Sequence, residues 1–146
     1  MACRLYLISP ERLDHPSIFA DDLRGAFAAA GSDKAAAMSQ TRRILERALW
    51  DESLHVHSRA WPSTEGHKNL LLYEDSDYGF VINAVVRTLE RNRGIHDHAH
   101  AWTAYGLLDG VEELAHYRRL DDGAREGYAK IERLSATRAG RGTVAL

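Results

Sequence analysis

The periodicity of apolar residues changes near residue 53, and that change limits the fold more than any other feature of the chain. From Glu11 to about Glu52 the spacing is helical. Leu13, Phe19, Leu23, Phe27 and Ala28–Ala30 suit a helix that starts near Ser17, after Pro16, and stops at Gly31. Ser32 or Asp33 can cap a second helix over Ala35–Trp50, where Met38, Ile44, Leu45, Ala48 and Leu49 recur at three-and-four spacing. Arg42, Arg43 and Arg47 on that helix read as a solvated face with Glu46. From Leu54 onward the runs are short and strand-like. Leu54–Arg59 alternates weakly, Asn69–Glu74 is apolar, and Asp75–Asp77 reads as a turn. Tyr78–Arg87 is rich in β-branched and aromatic residues. Ala99–Leu108 and Val111–Leu120 flank Asp109–Gly110, a hairpin signal because both turn residues accept positive φ. Asp121–Gly127 is a polar loop, and Lys130–Thr137 alternates again. Two helices followed by about six short strands predict an α+β, mainly β chain built on an antiparallel barrel or sandwich.

At 146 residues the chain is expected to be one domain, with residues 1–52 a helical segment packed on a β-barrel of residues 53–146. Hydrophobic residues make up 45% and charged residues 27%, which excludes extended disorder. A net charge of −2 gives no basic field and argues against a nucleic-acid partner. No apolar run approaches the roughly 18–20 residues of a membrane span. The opening MACRLYLISPERLD is too short, and too polar after Ile8, for a secretory signal. The single cysteine, Cys3, cannot form an internal disulfide, so a cytoplasmic chain is expected. The tail Lys130–Leu146 reads as a mildly basic edge strand with a frayed end.

Eight histidines are many for a chain of this size, and three of them, His96, His98 and His100, fall within five positions. On a strand, His96 and His98 point to one face with Cα atoms about 6–7 Å apart, so both imidazoles can converge on one metal ion. His100 would lie about 13 Å from His96 along that strand, too far to join the same ion. A helix would pair His96 with His100 instead, but Gly94 and the aromatic run after the cluster disfavour a helix. Asp97 points to the opposite face and suits a loop hydrogen bond. Arg87, Arg91 and Arg93, with Glu90 and Asn92, read as a solvated stretch before the cluster.

The segment Gly94–Gly110, GIHDHAHAWTAYGLLDG, resembles the first motif of the cupin superfamily: a glycine-led H-x-H, a ligand position a few residues on, and a glycine at the turn. The usual Glu of that ligand position is replaced here by Trp102 or Thr103. Retention of H-D-H without the Glu is similar to the cysteine-dioxygenase type of cupin, the thiol dioxygenases. The likeness runs from about Gly66, through HKNLLLYEDSDYGFVINAVV, to Arg118–Gly123. It implies a cupin double-stranded β-helix preceded by two helices. It also implies an iron centre of three histidines, of which His96 and His98 are two, that adds dioxygen to a small thiol to give a sulfinate. Imidazole suits Fe(II), and equally accepts Ni, Zn or Mn. A bulge after the H-x-H would turn Thr103 and Tyr105 inward. Tyr105 would then offer a hydroxyl to substrate or oxygen, and Thr103 and Trp102 would line the substrate pocket. Where such enzymes carry a cation for a substrate carboxylate, the matching stretch offers Lys68, and Arg59 lies earlier.

In this type of cupin the third histidine follows a later glycine turn. Gly140–Gly142 looks like that turn and Thr143–Leu146 like the start of the strand after it, so the resemblance implies that a few tens of residues of barrel are absent. Within the chain, His116 and His67, then His55 and His57, are the substitutes. His116 is nearest in topology, on the strand after Asp109–Gly110. A barrel short of its last strands is expected to expose an edge and to associate with itself. Two further readings stay open: a non-catalytic cupin that binds a metal or small ligand, and an inactive truncated remnant.

Overall fold

The computed structural model describes residues 2–5, 17–64, 69–87, 94–97 and 102–146. They form a mixed helix-and-strand structure with antiparallel sheets. Helices α1 (Ser17–Ala30) and α2 (Lys34–Ala48) lie close to the expected bounds. The Asp33 carboxylate accepts the Ala36 N–H at 3.0 Å and so caps α2. Phe19, Ala20 and Leu23 of α1 and Ile44, Leu45 and Ala48 of α2 enter one core. None of the described helices is long and apolar enough to cross a membrane.

A third helix, α3 (Glu52–Ser58), occupies the stretch expected to be a strand. Leu54 and Val56 alternate over too few residues to distinguish a period of two from one of 3.6. The cap decides it. Asp51 accepts the Leu54 N–H at 3.0 Å, Glu52 sits in the first turn, and the buried residues Leu54, His55 and Ser58 share one helical face.

The strands are β1 (Ala2–Leu5), β2 (Leu70–Glu74), β3 (Val81–Arg87), β4 (Tyr105–Asp109), β5 (Val111–Arg119), β6 (Ile131–Gly140) and β7 (Val144–Ala145). Five of them form an antiparallel sheet in the order β2-β3-β1-β4-β7. The central strand, β1, comes from a stretch in which no strand was expected. Its Leu5 stands opposite both Ala84 and Gly106. One face of the sheet receives the helices: Ile82, Ala84 and Val86 of β3 and Leu108 of β4 join the helical core. On the alternate positions Asn83, Val85 and Leu107 are also buried, on the reverse face.

Gly106 sets how closely α2 approaches. A Cβ there would lie 2.6 Å from Leu49 Cδ1 and 3.2 Å from Leu45 Cγ. Leu49 is fully buried, so its side chain lies directly on the β4 backbone. Between α1, α2 and the sheet is a cavity of about 40 Å³ lined by Phe19, Phe27, Thr41, Phe80 and Trp102, among others.

Asp109–Gly110 does not make a hairpin. Gly110 has the positive φ expected, 85°, and Asp109 Oδ1 accepts its N–H at 2.8 Å. But β4 already pairs with β1 on one edge and β7 on the other, so no edge is left for β5. The chain turns a corner there into a separate two-stranded ribbon, β5–β6. The tail is not frayed either. β7 pairs with β4, Gly142 N–H donates to the Leu107 carbonyl at 2.9 Å, and the Arg141 guanidinium lies 5.1 Å from the Trp50 ring centre. Arg141 Nε also donates to the Leu49 carbonyl at 3.1 Å.

One buried carboxylate ties α1 to the β2–β3 turn. Asp75 receives the N–H groups of Asp77 and Tyr78 at 3.0 and 2.8 Å and the Tyr73 hydroxyl at 2.9 Å. Arg24 of α1 pairs with Asp75 and, at 2.5 Å, with Asp77, and lies over the Tyr78 ring. Burial pushes the Asp75 pKa up, but the bonds from Tyr78, Tyr73 and Arg24 outweigh it and hold the group below its ordinary 3.8.

Two outcomes follow. Gly106→Ala is expected to lower unfolding stability by about 1–3 kcal/mol in urea titrations, since the added methyl overlaps the fully buried Leu49 side chain. Because Asp75 titrates lower in the folded chain than in the unfolded one, its contribution is complete above the ordinary carboxyl range and is lost as pH falls through its folded pKa. Wild-type stability is therefore expected to drop more steeply with acid than that of Asp75→Asn, and parallel curves would place the group's role elsewhere.

Candidate functional site

The histidine cluster is described at His96 alone; His98 and His100 lie outside the described residues. Residues 94–97 run as exposed, irregular chain, and β4 begins at Tyr105, later than the run Ala99–Leu108 implied. Strand alternation therefore does not set the direction of His96. One local contact of the ring is with the Gly94 carbonyl, 2.8 Å from Nδ1. A neutral imidazole that donates from Nδ1 carries its lone pair on Nε2, the arrangement commonly found in metal-binding histidines. The donor chemistry of His96 thus fits a divalent transition metal.

Of the pocket residues expected after the cluster, Trp102 goes elsewhere. Its ring stacks on Phe27 of α1 at 5.5 Å, and it lines the cavity under the helices with Ala104. Phe27 stacks in turn on Phe80 at 5.2 Å. The aromatic payload of Trp102 is drawn to the helical core, which makes it a packing residue. Thr103 and Tyr105 are half-buried. Since Gly106 faces α2, Tyr105 faces the reverse side of the sheet.

The reverse face holds a residue that sequence reasoning passed over. Asn83 is only 1% exposed, and its Oδ1 has no hydrogen-bond partner. Ala84 and Gly106 both stand opposite Leu5, so Asn83 and Tyr105 are the next positions along β3 and β4 in the same row. Two strand spacings separate them, about 10 Å. An unsatisfied buried amide oxygen is uncommon and calls for a partner. The signal was present as a lone Asn inside the apolar run FVINAVV.

The remaining candidates are dispersed. His116 is an exposed β5 residue opposite Ser135. His55 is buried on α3 with Nδ1 unpartnered, and His57 meets the Trp61 ring edge-on at 6.3 Å. Arg59 is the exposed C-cap of α3. His67 and Lys68 lie outside the described residues, as do Arg91 and Arg93. Among the described residues no three His, Cys, Asp or Glu side chains stand together as a metal site.

Trp102→Ala is expected to cost about 2–3 kcal/mol of stability, somewhat below the range for a fully buried aromatic, and to leave metal content unchanged. A loss of metal at unaltered stability would return Trp102 to the pocket.

No protein-family model matches the chain, and neither a curated protein nor a solved structure is significantly similar to it.

Proposed function

We propose that the chain is a metal-dependent cupin oxidoreductase of the thiol-dioxygenase type, built on a double-stranded β-helix. The observation that carries this is the H-D-H of His96–His98 in its cupin-like setting, GIHDHAHAWTAYG. The Nδ1 contact of His96 to Gly94 agrees with it, because an imidazole that donates from Nδ1 coordinates through Nε2. The overall reaction joins a thiol and dioxygen to give a sulfinic acid, RSH + O2 → RSO2H, and consumes no other reductant.

Fe(II), held by His96 and His98 with His116 or His67 as candidate third ligands, would supply the redox chemistry that lets dioxygen react with a thiol; Ni, Zn or Mn are the alternative occupants. The chain's own residues supply position and shielding. Tyr105 presents a hydroxyl on the sheet face away from the helices, where it can donate to a substrate oxygen or hold a proton near the sulfur. Thr103, two residues earlier, adds a second hydroxyl. Lys68 is the candidate cation for a substrate carboxylate, as a point charge without the two-pronged fit of an arginine. The buried Val85 and Leu107 keep that face dry. Such chemistry suits the cytoplasm, where thiols are kept reduced.

Metal analysis and oxygen uptake test the assignment together. The purified chain, loaded with Fe(II), is expected to retain metal and to consume oxygen with cysteine or 3-mercaptopropionate. His96→Ala and His98→Ala are each expected to bring metal to background. Tyr105→Phe is expected to keep the metal and lower kcat by about tenfold or more. Retained metal without oxygen uptake would reduce the protein to a metal-binding cupin, and metal retention in the double histidine variant would misplace the site.

A further inference from the structure

The β5–β6 ribbon is a separate sheet from the helix-backed one, joined to it at the buried Ala139 end of β6. Residues Ile131–Arg138 of β6 are exposed throughout, and β5 is a mixture of exposed and half-buried residues. A two-stranded ribbon alone is marginal in water, and each outer edge is a template for another strand. Among the described residues β5 pairs with β6 only.

The two outer edges are not equivalent. His116 pairs with Ser135 and Tyr117 with Arg133, so Leu134 is the extra residue of a bulge in β6. A bulge breaks the regular spacing that edge pairing needs and is a common protection for an edge. β5 runs without an extra residue from Val111 to Arg119.

The charges on β5 complement their own mirror. Its sequence is VEELAHYRR, with Glu112 and Glu113 at one end, Arg118 and Arg119 at the other and Ala115 at the midpoint. Antiparallel pairing with an identical strand about a two-fold axis at Ala115 sets Glu112 opposite the second copy's Arg118, and Arg118 opposite the second copy's Glu112. Both pairs fall on one face, as a two-fold axis perpendicular to the sheet requires. Opposite charges directly across a strand pair are favourable, and a shift of the axis to His116 replaces them with Glu113 and Arg119. The exposed pair Arg118–Glu132 inside each ribbon, at 2.5 Å, lies on that same face and would join the cross-axis charges in one network.

We propose that β5 pairs edge to edge and antiparallel with β5 of a second copy of this chain, giving a four-stranded sheet in the order β6-β5-β5-β6. The partner is a second copy because the pattern is self-complementary about a two-fold axis. The interface does not depend on the metal assignment.

Sedimentation equilibrium of the full chain tests it, with circular dichroism as the check on folding. The wild-type chain is expected to be dimeric, with a Kd that rises with salt. Glu112→Arg/Glu113→Arg and Arg118→Glu/Arg119→Glu each place like charges across the axis and are expected to raise Kd at least about thirtyfold. Mixed in equal amounts, the two variants are expected to recover association as a heterodimer, since one now carries only basic and the other only acidic ends. Recovery on mixing also separates the interface from the ion pairs within each ribbon, which mixing does not restore. A wild-type chain that stays monomeric up to about 100 μM would overturn the proposal. So would charge-reversed variants that dimerise unaided, or a mixture that stays monomeric. If either variant fails to fold, a wild-type Kd indifferent to salt would count against it equally.

Discussion

The structure turns on the close seating of α2 against β4 at Gly106. Leu45 and Leu49 occupy the space that a Cβ at position 106 would need. That contact fixes the height of the helical layer above the sheet. It also brings the end of α2 to Trp50, which receives the Arg141 guanidinium, and so docks the turn that leads into β7. β7 then closes the edge of β4. The occupied edge excludes β5 and sends it off as a ribbon. One missing side chain is thus connected, through packing and then hydrogen bonding, to which strands of the molecule lie together.

Much of this architecture was legible from local pattern. The two long helices follow from spacing and capping, and β2, β3, β5 and β6 lie where the apolar runs are. The misreadings share a cause. α3 was hidden because two alternating apolar residues fit either period, and the Asp51 cap carried the weight. The Asp109–Gly110 turn has the backbone a hairpin needs, yet its outcome depended on competition for the β4 edge, which no local window contains. β1 is four residues long and has no flanking turn signal, so only its partners reveal it.

For the candidate site, the histidines were visible as composition and spacing, while the roles around them were not. Trp102 and Tyr105 sit three apart beside the same motif, and sequence alone gave no reason to separate them. Alternation against a helix-facing Gly106 sends Tyr105 to the reverse face, and stacking on Phe27 takes Trp102 to the helices. Asn83 shows the opposite kind of information. A polar residue within an apolar strand is a conspicuous anomaly, and burial without a partner turns the anomaly into a functional question.

The central position of β1 bears on how the molecule assembles. Its pairings start with Ala2 opposite Arg87 on one side and Cys3 opposite Asp109 on the other, so both close very long loops. Pairings of that range are slow to form, because loop entropy is lost before any contact rewards it. Until β1 inserts, β3 and β4 each present a bare inner edge flanked by Val85, Val86, Leu107 and Leu108. Bare apolar edges of that kind are the surfaces through which incompletely folded chains find one another.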